Sequence, residues 1–353
     1  MSPTPKTSPK TFSPLDSNEE INRANKIQKA IFTEMNSKSG GELTRQRETA
    51  YLVRWREALV HVSKGAKVLD IGGGWPIPSI WQSLMDEYGL DYWIHDIDPD
   101  IVAMAQTRFA ARGVAATQAS CGPNTLLPHA ANQFDVVFSS HCIEHSSNIV
   151  STFTEITRVI KRAGSLIFAV PFGFDNSDEH LFFLDINGWI AATELAGFDV
   201  VNYHVGKTYP MAGWDLLIIA NISDERVPDY AALDALVRAH DKQGKTFLLP
   251  SDQSFSYSGN VFESEPHRIL MTTESTAILD TGGQPASLLF LTTPWSGAVE
   301  LTDGTTSLFR DLWSRIDYVH AVDVSAMRGP VTVKLLGRSH ANFHAVIYGA
   351  LTG

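Results

Sequence analysis

The chain has 353 residues, of which 44% are hydrophobic and 19% charged, and a formal net charge of −11. That length exceeds one comfortable core and the composition is ordinary, so two folded domains are expected and a disordered or fibrous chain is excluded. The negative balance speaks against nucleic acid and an anionic membrane as partners, because both need a basic footprint.

Residues 1–16, MSPTPKTSPKTFSPLD, lack the apolar stretch of a signal peptide and read as a disordered tail. Ser17-Asn18-Glu19-Glu20 has the form of a capping box, and Ile21, Ala24, Ile27, Ile31, Phe32 and Met35 follow at helical spacing. With a second helical stretch over about 43–62, residues 17–64 form a helical N-terminal addition. From Lys67 strands and helices alternate. KVLDI, DYWIHDI, FDVVFSS and SLIFAVP are read as buried strands, with a further short strand at AATQAS. Helices are expected over 77–88, 101–112, 149–161 and 186–196. FDVVNYHVG and WDLLIIANIS close the region as an antiparallel pair. Alternation with short connections predicts an α/β, doubly wound and mostly parallel sheet over 65–223.

Residues 224–245 read as a linking helix. Beyond it, runs such as ASLLFLTT, VTVKLLGR and FHAVIYGAL are split by Gly, Pro and Ser turns. They predict an all-β, sandwich-like domain over 246–353. No segment approaches the ~18 consecutive apolar residues of a membrane span. Cys121 and Cys142 are the only cysteines and stand in no zinc-ligand or CxxC spacing, which fits a reducing, cytoplasmic setting.

The chemistry concentrates after the first strand. Gly72, Gly73 and Gly74 lie where a strand turns into a helix, a place where backbone N–H groups can approach a nucleotide or an amino-acid group. A dinucleotide fingerprint would need Gly or Ala where Ile77 stands, so an NAD-dependent oxidoreductase is disfavoured. Asp96 ends the second strand, placed to accept both hydroxyls of an adenosine ribose. Asp98, followed by Pro99, is better suited to capping the next helix.

VLDIGGG, HDIDPDIVAMA, FDVVFSSHCIEH, EITRVIKRAGSLIFAVP and HLFFLDINGWIAATELAGFDVV occur in this order over about 68–201. Together they resemble the successive motifs of class I S-adenosylmethionine-dependent methyltransferases, which have a Rossmann-like fold. The resemblance implies S-adenosyl-L-methionine as cofactor. It places Asp70, Gly72, Gly73 and Gly74 at the methionine side and Asp96 with Ile97 at the ribose. Ser120 and Cys121 would lie at the adenine, and Ser139 to His141 would face the reacting methyl group. Pro76 departs from a third glycine common in the family, and QASCGPNTLLP lacks the acid often found at the adenine.

Transfer of a sulfonium methyl needs alignment and exclusion of water, and a hydroxyl acceptor also needs a base. His141, His180 and Glu144 are the catalytic candidates, while His145 is expected to pack or cap at the head of the next helix. His141-Cys142-Ile143-Glu144-His145 also spells H-x-x-E-H, a zinc pattern if it lay on a helix. Its position after a buried strand and the lack of a recognisable third ligand argue against a metal. Asp175, Asp178 and Glu179 read as solvated loop charge. Phe172, Phe174, Trp189 and Trp214 are candidates to line the acceptor pocket, with plain core as the alternative.

In the C-terminal region His320, Arg338, His340 and His344 are scattered without a motif, and Trp295 and Trp313 are expected in the core rather than as sugar platforms. The function expected is O-methylation of a small hydroxylated metabolite or saccharide. The alternative is an inactive methyltransferase-like scaffold whose β domain binds glycans or makes a homo-oligomer.

Overall fold

A computed structural model describes residues 9–11, 53, 55–73, 83–111, 113–177, 180–206, 214–337 and 343–353. The chain divides into two compact units, one of residues 15–172 and 179–241, the other of 1–14, 173–178 and 242–353.

The first unit is built on a seven-stranded sheet. Its strands are β1 (Lys67–Ile71), β2 (Asp91–Asp96), β3 (Ala119–Cys121), β4 (Phe134–Ser140), β5 (Ile160–Pro171), β6 (Phe198–Gly206) and β7 (Asp215–Ile222). Their spatial order is β3-β2-β1-β4-β5-β7-β6. The first five run parallel, whereas β7 is antiparallel to both β5 and β6. The chain order reverses at β1 and β4, and their carboxyl ends therefore flank the crevice where open α/β sheets hold ligands. β4 and β7 are nearly continuous apolar runs because both lie inside the sheet and are buried along most of their length.

Among the described residues four complete α-helices accompany the sheet: α1 (Pro99–Ala111), α2 (Ile149–Val159), α3 (Ile186–Leu195) and α4 (Tyr230–Ala239). Each begins at a side-chain cap. The carboxylate of Asp98 accepts from Asp100 N–H at 2.8 Å, with Pro99 in the first turn. Asn148 and Asp185 accept from Ser151 and Gly188 N–H at 2.9 and 2.7 Å. Along α2 the apolar spacing buries Ile149, Phe153 and Ile156. Helix α4, inside the stretch expected as a link, packs on α2 and α3 within this unit. Of the N-terminal helices, residues 55–59 are helical and the capping box at Ser17 lies outside the described residues. Trp55 is fully buried, stacked on Phe138 with ring centroids 3.9 Å apart. Of the helix expected over 77–88, one turn at Ser83–Glu87 is described.

The described strands of the second unit pair antiparallel. One sheet has seven strands: Lys10–Thr11, β8 (Thr246–Leu248), β10 (Val261–Ser264), β11 (His267–Leu270), β13 (Ala286–Thr292), β16 (Tyr318–Asp323) and β18 (Ala345–Thr352). The other has five, in the order β9 (Phe255–Ser258), β12 (Thr276–Leu279), β17 (Val331–Gly337), β14 (Ala298–Thr302) and β15 (Ser307–Asp311). Both sheets send apolar side chains into one buried cluster, among them Leu288, Phe290 and Ile347 from the first and Leu279, Leu301 and Val333 from the second.

Two expectations need correction here. The tail is not wholly unstructured: Lys10 and Thr11 pair antiparallel with Phe247 and Thr246, extending an edge of the larger sheet. Trp295 and Trp313 are not core. They are 64% and 43% exposed, and an isolated bridge joins Thr293 to Trp313.

Candidate functional site

The sequence-predicted residues gather at the carboxyl ends of β1, β2 and β4. Asp70 and Asp96 are buried there. Tyr92 donates its hydroxyl to Asp70, and Asp98 N–H donates to Asp96 Oδ1 at 2.9 Å. Ser139, on β4 beside Ile71, is buried, and its hydroxyl makes no hydrogen bond among the described residues.

The glycine turn has a reason that the sequence did not reveal. Gly72 has φ of +72°, and its N–H donates to His95 O at 2.8 Å. A Cβ on it would stand 2.5 Å from both Cβ and Sγ of Cys142. On Gly73 it would meet the Asp70 carboxyl carbon at 2.6 Å. Packing inside the protein therefore demands both glycines before any ligand is considered. Gly74 lies outside the described residues.

The Ser120 hydroxyl is engaged within the protein. It lies 3.2 Å from Ile94 O, 2.9 Å from His95 Nδ1 and 3.1 Å from His129 Nε2. Burial, and then the neighbouring His129, pushes the His95 pKa down to about 4. Burial followed by the charges of Arg158 and Lys67 takes His129 to about 4 as well. Cys121 is exposed, and its thiol leans 3.7 Å from the carbonyl of the half-buried Ile97.

The catalytic candidates converge after β4. His141 is a non-glycine residue with φ of +52°, a conformation costing about 1–3 kcal/mol that recurs at functional sites. Its N–H is held by Ala169 O at 2.8 Å. The half-buried ring lies between two buried carboxylates, with Nε2 3.3 Å from Asp215 Oδ2 and Nδ1 3.5 Å from Glu144 Oε1. Burial disfavours a charged Glu144, but His141, His145 and His180 outweigh it and hold its pKa below the usual value. Asp215 was missed by sequence reasoning. It heads β7 some 74 residues from His141, and the available signal was one acid before the apolar run LLIIA.

The H-x-x-E-H stretch is not a helix. His141 is left-handed and only Ile143–His145 forms a helical turn, so His141 and His145 share no helix face. His145 does not cap the following helix, whose cap is Asn148. A third potential ligand, judged absent from the sequence, stands at His180. One ligating atom each from Glu144, His145 and His180 lie within 4.8 Å of one another.

Other candidates fall elsewhere. Trp189 is core, with Nε1 donating to Pro171 O at 3.0 Å, and Phe172 is buried too. Trp214 is half-buried. Phe174 belongs to the second unit, in a ring cluster with Phe247 and Tyr348. In that unit the buried Lys242 ammonium lies 3.5 Å from Asp175 Oδ1 and donates to Ser177 O at 2.8 Å, so Asp175 is not merely solvated loop charge. Asp178, Glu179, Arg338 and His340 lie outside the described residues.

A doubly wound sheet with buried acids ending β1 and β2 and a histidine after β4 is the frame that the resemblance to class I S-adenosylmethionine-dependent methyltransferases implies, and part of this chain matches a family model. The match is to the methyltransferase domain, over residues 69–168. No curated protein matches the chain. Among solved structures, it is similar to the 1,6-didemethyltoxoflavin-N1-methyltransferase of Burkholderia thailandensis, with 17% identity over 62% of this chain and 100% of that one and a TM-score of 0.45. A SAM-dependent methyltransferase from Aquifex aeolicus shows 17% identity over 48% and 89%, with a TM-score of 0.37. The geranyl diphosphate C-methyltransferase of Streptomyces coelicolor shows 10% identity over 50% and 76%, with a TM-score of 0.42.

Proposed function

We propose that the protein is an S-adenosylmethionine-dependent O-methyltransferase acting on a small hydroxylated metabolite or a saccharide. The observation that carries this reading is His141, set by a left-handed backbone after β4 with Asp215 behind its ring. The donor set suits the cofactor: Asp70 and Asp96 are buried carboxylates ending neighbouring strands, and the Ser139 hydroxyl is buried without a hydrogen-bond partner among the described residues. Asp96 would hold the ribose hydroxyls, and Asp70 with the Gly72 turn the methionine side. When bound, the cofactor supplies a methyl group on a positively charged sulfur. The ring of His141 accepts the proton leaving an acceptor hydroxyl, and Asp215 fixes its orientation, as a carboxylate does for a catalytic imidazole. The surrounding apolar strands exclude water, which raises the value of alignment.

The second unit is read as a β-sandwich, supported by two sheets feeding one core. Its exposed Trp295 and Trp313 favour stacking on sugar rings, and a homo-oligomer contact is the other use of such a surface. The test is transfer of labelled methyl from S-adenosylmethionine to a panel of phenols, sugars and amines. Hydroxyl acceptors should be labelled, and Asp215→Asn should lower kcat about 10²–10⁴-fold with the KM for cofactor unchanged. Labelling of amines alone would refute the O-methyltransferase reading, and no labelling at all would favour a scaffold.

A further inference from the structure

Glu144 and His145 sit on the turn after β4, whereas His180 follows β5. One potential ligand atom of each nevertheless lies within 4.8 Å of the others. His145 Nε2 stands 3.8 Å from Glu144 Oε1, and the His145 and His180 rings are centred 5.0 Å apart. A tetrahedral site with bonds of roughly 2.0–2.1 Å separates its donors by roughly 3.4 Å. Small side-chain rotations would bring these three donors onto one ion.

Glu144 is the informative member. It is 1% exposed, and neither carboxylate oxygen has a hydrogen-bond partner among the described residues. A carboxylate taken out of water without hydrogen bonds needs a facing cation. The imidazoles facing it stand off, with His141 Nδ1 3.5 Å and His145 Nε2 3.8 Å from Glu144 Oε1. A divalent ion bound by the carboxylate would supply the facing charge at shorter range.

We propose that Glu144, His145 and His180 bind a divalent first-row transition metal ion beside His141, leaving an open coordination position that suits a hydroxyl oxygen. Two imidazoles and a carboxylate are a donor set for Zn²⁺, Fe²⁺ or Mn²⁺, whereas Mg²⁺ prefers oxygen donors and retains its waters. The use of the open position in catalysis rests on the methyltransferase reading above. An acceptor hydroxyl on the ion becomes more acidic. Its O–H bond breaks with the proton passing to His141, and the oxygen then bonds to the methyl carbon as the C–S bond breaks and its electron pair leaves with sulfur.

The test uses the full-length protein, stripped with a chelator and titrated calorimetrically with Zn²⁺, Mn²⁺ and Mg²⁺. One equivalent of Zn²⁺ or Mn²⁺ should bind and Mg²⁺ should not. His180→Ala should weaken binding more than about 100-fold, beyond the 10–100-fold typical of outer-shell partners, with its circular dichroism unchanged. Glu144→Gln should do the same, but His180, half-buried, is the safer position for retained folding. Visible absorption of the Co²⁺-loaded protein should shift when azide is added. No stoichiometric binding of a transition metal, binding of Mg²⁺ alone, or unchanged affinity in His180→Ala overturns the site, and no azide shift overturns the open position. Titration of S-adenosylmethionine into stripped and loaded protein separates the two readings. Cofactor binding without metal binding refutes the metal site alone, whereas metal binding without cofactor binding refutes the enzyme reading alone.

Discussion

Gly72→Ala places a Cβ 2.5 Å from Cβ and Sγ of Cys142, on a residue whose φ is +72°. The left-handed backbone costs an L-residue about 1–2 kcal/mol. Overpacking a well-filled site costs about 1–3 kcal/mol, and the two together give about 2–5 kcal/mol. These contributions separate in a double-mutant cycle. Cys142→Gly removes both clashing atoms, so adding it to Gly72→Ala should recover the overpacking share of about 1–3 kcal/mol and leave the backbone share in place. The assay is urea unfolding of the wild type, both single variants and the double variant, following the transition of the unit that contains Trp55. Gly72→Ala as stable as the wild type, or a double variant whose loss is the simple sum of the singles, would refute the packing origin of this glycine.

Three further outcomes are expected. His95 has a folded pKa of about 4 against an ordinary 6.5, so its contribution to stability is present above pH 6.5 and lost as the pH falls from 6.5 to about 4. That difference of 6.5 − 4 amounts to about 3 kcal/mol, and urea midpoints of the wild type should therefore fall more steeply between pH 7 and 4 than those of His95→Gln. His129 acts in the same direction but is only half-buried, so its share is smaller. If the β unit binds glycans, replacing exposed Trp295 and Trp313 with Ala should abolish glycan-array signal at unchanged stability, and equal signal would refute the sugar-platform reading. Asp215→Asn should depress kcat without altering cofactor affinity, and a parallel loss of affinity would make Asp215 a structural residue.

The sheet was legible in the sequence because its strands are buried on both faces. KVLDI and FDVVFSS are short apolar runs, the first carrying Asp70 next to its end and the second closing on Ser139 and Ser140, and period and punctuation suffice to find them. The antiparallel β6–β7 pair was equally visible, although its insertion order is set by packing. The grouping of Asp70, Gly72 and Asp96 at neighbouring strand ends was legible, because each follows directly from a local strand pattern. The site was not legible where contacts cross long stretches of chain. Asp215 reaches His141 because β7 lies beside β5, and His180 reaches His145 after a whole strand has intervened. The surroundings of Ser120 were hidden for a related reason: its two imidazole neighbours, His95 and His129, come from different segments and engage the hydroxyl. The exposure of Trp295 and Trp313 was invisible because pattern alone does not say which turns of a β domain face solvent.

Isothermal titration with S-adenosylmethionine, its demethylated product and NAD, on the wild type and Asp96→Ala, decides whether this sheet holds the cofactor. Binding of the first two, no binding of NAD, and at least about tenfold weaker binding by the variant are predicted, since one carboxylate holding the ribose hydroxyls is worth about 1.4 kcal/mol or more. Binding of none of the three, or affinity unchanged by Asp96→Ala, would contradict the cofactor reading.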